Sequence, residues 1–419
     1  MTGENGGAAF ILVYIVCVFM LGIPGMIAEF VVGRHGAANA ARAYGRMTRR
    51  RSWGLIGYMG VFTAMIILGF YAVVAGWCLQ YLYASVAGQV QGDAAYVSDY
   101  FATFSSHLLY PSLWAVAFIL ATHLVVTRGV RDGIERASNL LMPTLLFLLL
   151  VIVVASCMLP GASAGIEFLF KPDFSKLSSR VFLEALGQAF FSLSLGTACL
   201  CTYASYFSRK INLAASALQI ALLDCVIAIL AGLMIFPAAA SVGVRPDSGP
   251  SLIFITLPAV FTQAFAAVPV VGYIISVLFY ALLALAALTS TISMHEIGTA
   301  FFREELRLSR RQAAFIVTLV CSLLAVACSL STGAVPQLQV FGTSLMEFCD
   351  GLTANLLLPL GSLLTCLFLG WVVPRRIVKD EFTNWNSVCR CLYPYWLVAV
   401  RYVCPVAIAA IFLHQLGVI

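Results

Sequence analysis

The chain has 419 residues, of which 62% are hydrophobic and only 10% are charged. A soluble domain carries roughly 25% charged residues, so this composition excludes a water-soluble globular fold and makes the lipid bilayer the solvent. The net charge of +6 does not indicate a nucleic-acid partner, because the basic residues are spread over several separate connections.

Apolar stretches of about 20 residues, long enough to cross a hydrocarbon layer roughly 30 Å thick, recur along the chain. Between the sixth and seventh of them, residues 242–269 are more polar, and we expect an external capping loop with room for two short helices. The alternative is a short eleventh span. In chain order the sequence predicts ten spans, at residues 8–30, 54–86, 111–127, 138–159, 181–208, 213–241, 270–301, 311–331, 342–372 and 396–415.

The basic residues fall mostly on one side of these spans. The connections on that side, together with Arg311 and Arg401, hold 20 of the 24 Lys and Arg, and the positive-inside rule makes the side cytoplasmic. Lys171, Lys176, Arg180 and Arg245 remain on the outside. Ten spans place residues 1–7 outside with no span or signal peptide ahead of them, so we expect a further span upstream of Met1.

Enzyme and structural-metal classes find little support. The 13 Cys include no C-x-x-C pair, so neither a zinc site nor a disulfide framework follows. His295-Glu296 resembles the start of a zincin motif, but Thr299 stands where the second His is required. The sequence also offers no paired acid and base and no nucleophile elbow.

One predicted span has an unusual centre. From Gly187 to Thr197 it carries two Gly, two Ser and a Thr, which weaken a helix, while short hydroxyl side chains can satisfy the backbone groups that unwinding frees. Unwound backbone at the bilayer midplane offers oxygen ligands for a small cation, and a half-helix N-terminus attracts a carboxylate. The alternative is a helix-packing face of small residues.

Two carboxylates lie within apolar spans. Asp224 follows Leu222-Leu223, and a carboxylate at a span centre costs about 2.5–3.5 kcal/mol, so it needs a partner or an ion. Glu29 lies nearer the cytoplasmic end, where we expect water to reach it. The hydroxyls of Thr289, Ser290 and Thr291 follow Ala286 in another apolar span, where packing is the alternative to ion binding.

A series of short motifs runs in order along nearly the whole chain. They are Glu4-Asn5-Gly6-Gly7, Gly22-Ile23-Pro24 with Glu29, Gly133-Ile134-Glu135-Arg136, Met142-Pro143, the run from Gly187 to Gly196, Tyr203-Ala204-Ser205-Tyr206, Phe254 to Pro258 and Leu288-Thr289-Ser290. With these motifs the chain resembles the neurotransmitter:sodium symporters. This resemblance implies an all-α membrane protein with the inverted-repeat leucine-transporter fold, in which two helices unwind at the midplane around an amino acid and two sodium ions.

The resemblance also implies the boundaries of the chain's parts. Residues 1–419 form one transmembrane domain, with 1–159 as the remainder of the first repeat, 181–372 as the second repeat and 396–415 as an additional helix. The first of 11 helices, with its backbone ligands and a basic gating residue, is expected upstream. A late start codon is the favoured explanation; a fragment and a degenerate protein are the alternatives.

Site residues follow from the same resemblance. Ser192 and Asp224 match the first sodium site, and Ala286, Thr289 and Ser290 match the second. Asp350 matches the acidic half of an external gate. Positions matching the substrate site are Ile67, Tyr71, Phe191, Ser192, Ser194, Thr197, Thr291 and Met294.

The implied function is sodium-coupled symport, across the cell's inner membrane, of a neutral amino acid that is large and apolar or aromatic, because Thr197 stands where a bulky aromatic is found in the leucine transporter. Sodium is the coupling ion and no organic cofactor is expected. Ala228 replaces a chloride ligand, so transport is expected to be chloride-independent. The alternative is a binding or sensor protein, or a degenerate transporter, that keeps the pocket without cycling. The sequence does not indicate an oligomeric state.

Overall fold

The computed structural model describes residues 2–3, 5–48, 50–243, 251–335, 337–388 and 390–415. Glu4 of the first motif and the basic residues Arg49 and Arg245 lie outside the described residues. Elsewhere the chain is almost entirely helical, as expected for a protein whose backbone polar groups must be satisfied within a bilayer.

Helices follow one another along the described chain, joined by connections of varying length. In order they are α1 (Ala8–Gly36), α2 (Ala40–Arg46), α3 (Arg51–Val86), α4 (Ala94–Ser105), α5 (Tyr110–Thr127), α6 (Val130–Cys157), α7 (Ala162–Phe170), α8 (Ser179–Ser192), α9 (Cys199–Ala204), α10 (Leu213–Ser241), α11 (Leu252–Ala264), α12 (Pro269–Glu305), α13 (Arg310–Ser331), α14 (Leu345–Val372), α15 (Arg375–Phe382) and α16 (Tyr393–His414). Two short antiparallel strands, β1 (Gln339–Val340) and β2 (Thr343–Ser344), pair Gln339 with Ser344.

Within the described ranges, nine helices are long and apolar enough to cross a membrane, and each corresponds to one predicted span. The remaining predicted span, 181–208, which is the fifth in chain order, is divided into α8 and α9. The predicted class, an all-α membrane protein, is confirmed. Several ends differ by a turn or two; α6, for example, begins at Val130 because a π-helical turn extends it toward the cytoplasm.

The described part of the external segment 242–269 forms one helix rather than two. Its first turn, Leu252–Thr256, is π-helical, and this wider turn lets the helix continue through Pro258, which would otherwise clash with a preceding carbonyl. Phe254 is fully buried, and its ring lies 5.0 Å from that of Tyr81 and stacks on Phe101. Aromatic packing therefore holds this helix against the outer half of α3.

Close backbone approaches hold α1 against the divided helix. A Cβ placed on Gly33 would lie 2.0 Å from the carbonyl oxygen of Cys201 in α9, so only glycine allows this separation. On the other side α9 contacts α12, and α3 packs along α5, α12 and α13. The divided helix therefore lies between α1 and α12, and α12 carries the predicted second sodium group.

Candidate functional site

The helix break lies between Ser192 and Cys199. Three residues in it have left-handed backbone conformations, with φ of 54° at Ser194, 82° at Gly196 and 61° at Ala198. The break is shorter than predicted, because the residues from Gly187 to Ser192 continue α8 as regular helix. Glycine inside a helix costs only about 1 kcal/mol relative to alanine, an amount that packing can offset.

Glu29 holds the break in place from α1. Its Oε1 accepts a hydrogen bond from the backbone N–H of Gly196 at 2.7 Å, and the residue is only 2% exposed. The expectation that water reaches Glu29 is therefore wrong, because α1 packs closely on α9 at this depth. A Cβ on Gly196 would lie 2.3 Å from the carbonyl oxygen of Leu358, so the break is also pressed against α14.

Hydroxyl side chains satisfy part of the freed backbone, as expected. Thr197 Oγ1 donates to the carbonyl oxygen of Ser194 at 2.7 Å and accepts from the N–H of Cys199 at 3.2 Å. This second bond satisfies a donor at the start of α9, where the helix has no earlier carbonyl to accept it. The side chain of Thr197 thus helps to fix the backbone of the break.

A three-residue polar cluster lies at the end of α8. Ser192 Oγ and the Tyr14 hydroxyl both donate to the Asp224 carboxylate, one to each oxygen, and the Tyr14 hydroxyl lies 3.1 Å from Ser192 Oγ. Both donors are neutral, so these bonds leave the negative charge of Asp224 uncompensated. The cluster joins α1, α8 and α10 through one carboxylate.

Tyr14 was not identified from the sequence. It is 6% exposed within an apolar span, and the pattern around it does not separate a polar contact from packing. The one available signal was its hydroxyl, which needs a hydrogen-bond partner when a tyrosine is buried.

A cavity of about 360 Å³ opens beside this cluster. Tyr14, Gln188 and Ser192 contribute its polar lining, and Ala228, one turn after Asp224 on α10, lines it too. A methyl group thus stands beside the cluster at the position where the resemblance places a chloride ligand.

The second predicted sodium group lies on α12. Thr289 Oγ1 and Ser290 Oγ both donate to the carbonyl oxygen of Ala286, at 2.8 and 3.4 Å. The hydroxyl of Tyr71, from α3, lies beside Ser290. Three oxygens of α12 and Tyr71, a predicted substrate-site residue, therefore lie together.

The remaining predicted residues are placed as follows. Ile67 is buried one turn before Tyr71, and Met294 is half-buried one turn after Ser290. Phe191 is 54% exposed at the end of α8, and Asp350 is exposed near the external end of α14. Thr291 is oriented differently: its hydroxyl lies 2.8 Å from that of Thr122 in α5.

Glu296, the acidic residue of the zincin-like dipeptide, is fully buried and paired. Arg310 Nη2 donates to its Oε2 at 2.5 Å, and the Tyr206 hydroxyl donates to its Oε1 at 2.8 Å. Arg310 also donates to the carbonyl oxygen of Val126 at 2.8 Å. The carboxylate therefore connects α12 with the next helix, α13, and with Tyr206, which follows α9 and lies 90 residues away in sequence.

Comparisons with known proteins agree with one another. The sequence model of the sodium:neurotransmitter symporter family matches residues 1–100 and 109–419. The uncharacterized sodium-dependent transporter YhdH of Bacillus subtilis is 36% identical over 423 residues, covering 100% of this chain and 92% of the relative. An uncharacterized sodium-dependent transporter of Haemophilus influenzae is 32% identical, covering 99% and 92%.

A solved structure is similar over nearly its full length. The crystal structure of MhsT in complex with L-phenylalanine matches with a TM-score of 0.88 and 37% sequence identity. The match covers 99% of this chain and 93% of that one.

Proposed function

Because the chain belongs to the sodium:neurotransmitter symporter family, we propose that it couples the uptake of a neutral, large apolar or aromatic amino acid to the entry of Na⁺. It is a multi-pass membrane transporter and not an enzyme. The observation that carries the proposal is the Asp224 carboxylate of α10, which lies beside the end of α8 and, among the described residues, accepts hydrogen bonds from the neutral hydroxyls of Tyr14 and Ser192 alone.

The first sodium ion binds beside Asp224. A carboxylate inside a span costs about 2.5–3.5 kcal/mol, and a bound cation would offset this cost. Ser192 is both a donor to Asp224 and the last residue of α8. An ion held by these two side chains therefore fixes the end of the helix at the point where the break begins.

The second sodium ion binds to the oxygens of Ala286, Thr289 and Ser290. The two hydroxyls now donate to the Ala286 carbonyl, and rotation of each side chain would free all three oxygens for a cation. Oxygen ligands of this kind suit a small hard ion. Tyr71, which lies beside Ser290, would link this ion to the substrate carboxylate.

The substrate lies at the helix break. The N-terminus of α9 attracts the amino-acid carboxylate, while Ile67, Phe191 and Met294 supply apolar contacts for its side chain. Ser194 and Thr197 lie in the break itself, and Thr291 belongs to the same subsite by resemblance. The small side chain of Thr197 leaves room for a large substrate, in agreement with the L-phenylalanine bound to MhsT.

Transport proceeds by alternating access in the inner membrane. Residues 1–159 and 181–372 form the two repeats, and 396–415 add a helix outside them. Ion binding organises the break, and the sodium gradient makes the cycle directional, since only a ligand with different affinities for the two states shifts their populations. Asp350 forms the acidic half of the gate that closes the external side of the substrate site.

A binding measurement tests the substrate class. Purified protein is incubated with radiolabelled L-phenylalanine in NaCl or in KCl, with unlabelled phenylalanine, leucine, tryptophan, glycine or lysine as competitors. We expect binding in NaCl only, with competition by the three large side chains. Strong competition by glycine or lysine would contradict the substrate class, and equal binding in KCl would contradict sodium coupling.

A further inference from the structure

Two cysteines face each other near the external ends of α13 and α14. Cys328 lies three residues before the end of α13 and is fully buried, and Cys349 lies in the second turn of α14 and is 6% exposed. The backbone N–H of Met346 donates to Ser331 Oγ at 3.3 Å. Cys328 lies one turn before Ser331, and Cys349 lies one turn after Met346. The helical repeat therefore places the two cysteines opposite each other.

The helical register set by the Ser331–Met346 bond places the two thiols on facing sides of α13 and α14, where they interact with each other. Their helices pack side by side over this stretch, and both residues belong to the part of α13 and α14 that the predicted topology places on the external side. In bacteria this side is oxidising, whereas the cytoplasm keeps thiols reduced. The pair is therefore positioned to be cross-linked with little movement of either helix.

We propose that Cys328 and Cys349 form a reversible oxidation site at which peroxide converts the two thiols into a disulfide linking α13 to α14, and that this link slows transport. The second half of the proposal rests on the proposed transport function.

The chemistry balances with hydrogen peroxide as the oxidant. The sulfur of Cys349, the more exposed of the two, attacks one peroxide oxygen; the O–O bond breaks, and Cys349 becomes a sulfenic acid as one water leaves. The sulfur of Cys328 then attacks the Cys349 sulfur, the S–O bond breaks, and its oxygen leaves with the thiol proton and its own proton as water. Two thiols are oxidised to one disulfide, and one peroxide is reduced to two waters.

The position of the link explains its effect on transport. Directly after Cys349 come Asp350, the proposed external gate, and then a π-helical turn at Leu352–Leu357. Such turns are frequent at functional sites within helices. A covalent bond to α13 fixes the segment that precedes this turn, so the gate residue can no longer move relative to α13.

A second cysteine pair provides a matched control. Cys366 in α14 and Cys404 in α16 also interact with each other, across two packed helices, and they are 2% and 0% exposed. Cys366 lies more than four turns further along α14 than Cys349, well away from the external end. A polar oxidant added outside should therefore reach the first pair before this one.

The test is peptide mapping of the full chain in lipid vesicles after treatment with hydrogen peroxide, without reductant. We expect linked peptides containing Cys328 and Cys349, which disappear after reduction by dithiothreitol, and the same result in Cys366→Ser. Cys349→Ser and Cys328→Ser, two near-isosteric replacements, should each abolish the link. Failure to form it in wild-type protein, or equal linking of Cys366 to Cys404, would overturn the site.

Sodium-driven L-phenylalanine uptake is then measured on the same vesicles. Wild-type uptake should fall toward the level in potassium buffer after oxidation and recover with dithiothreitol, while Cys349→Ser uptake should not change. A complete link with unchanged wild-type uptake would overturn the regulatory half. Absence of uptake before any oxidation would instead overturn the proposed transport function, and peptide mapping would still decide the oxidation site.

Discussion

Asp224 carries the charge on which the proposed first sodium site depends. Its carboxylate accepts from Tyr14 and Ser192 beside a cavity lined by Ala228. A charge fixed on the protein removes the need for a bound chloride near the sodium ion, because both would supply the same negative potential. Wild-type uptake is therefore expected to be equal in chloride and in gluconate, and a persistent chloride requirement in vesicles would contradict this assignment.

Asp224→Asn keeps the size of the side chain and removes the charge. Hydrogen bonds and contacts with a charged group contribute about 1.5–3 kcal/mol, so the sodium concentration for half-maximal uptake should rise roughly tenfold or more. Asp99→Asn, at an exposed position in α4, is the control and should behave as wild type; an unchanged sodium dependence in Asp224→Asn would exclude Asp224 as a ligand.

At the scale of the element, the break between α8 and α9 depends on Gly196. Its φ is 82°, and a Cβ added to it would lie 2.3 Å from the Leu358 carbonyl oxygen, so two separate obstacles oppose any side chain there. Gly88, just after α3, also has a left-handed backbone, with φ 71°, but it has open space around it. A substitution there therefore tests the backbone conformation without the steric clash.

Gly88→Ala should cost only the left-handed backbone conformation, about 1–2 kcal/mol. Gly196→Ala adds a clash with α14, which should cost about 1–3 kcal/mol more. It also displaces the backbone N–H that donates a hydrogen bond to Glu29. We therefore expect a lower melting temperature in detergent for Gly196→Ala than for Gly88→Ala, with loss of phenylalanine binding only in the former. Equal melting temperatures and intact binding would show that the break tolerates a side chain.

A second element-level feature is the cytoplasmic junction around Glu381 in α15. Arg34 Nε donates to its Oε2 at 2.7 Å, and His35 Nδ1 lies 3.2 Å from its Oε1. Arg34 also donates to the Ile211 carbonyl and to Asn384, so α1, the α9–α10 connection and α15 meet here. Burial raises the pKa of Glu381, but the hydrogen bonds and charges of His35 and Arg34 outweigh burial and lower it.

This lowered pKa makes the stability of the fold depend on pH. A carboxylate whose pKa is lower in the folded protein stabilises the fold above its unfolded pKa, about 4.3, and that contribution is lost as pH falls through the folded value. The melting temperature of wild-type protein should therefore drop more steeply below about pH 4.3 than that of Glu381→Gln, which starts lower at neutral pH. Glu135→Gln, at an exposed position, should follow wild type, and parallel curves for all three proteins would contradict the assignment.

At the scale of the whole molecule, the sequence was most informative where lipid dictates the pattern. Span lengths follow from hydropathy, because every backbone group in the bilayer needs an internal partner, and the weak centre of 181–208 was visible in its Gly and Ser residues. The start of the break, nearly two turns later than predicted, was not visible, because a helix tolerates a glycine such as Gly187 at a cost of about 1 kcal/mol. Glu29, Asp224 and Glu296 have partners from segments far apart in sequence, so only the fold could supply the N–H of Gly196, Tyr14 and Tyr206.

The substrate subsite and the two repeats stay predictions. What joins them is one physical claim: oxygens gathered around a broken helix bind Na⁺ and an amino acid together, so that the ion gradient drives the solute. A binding or sensor protein would share the pocket but would not concentrate its ligand.

Accumulation of radiolabelled L-phenylalanine in proteoliposomes tests this claim most directly. Vesicles containing the purified protein are given either an inward Na⁺ gradient or the same gradient of K⁺. We expect accumulation above the external concentration in Na⁺ that collapses when a sodium ionophore is added, and only leakage in K⁺. Equal uptake in the two buffers, or sodium-dependent binding without accumulation, would contradict the coupling of ion and solute.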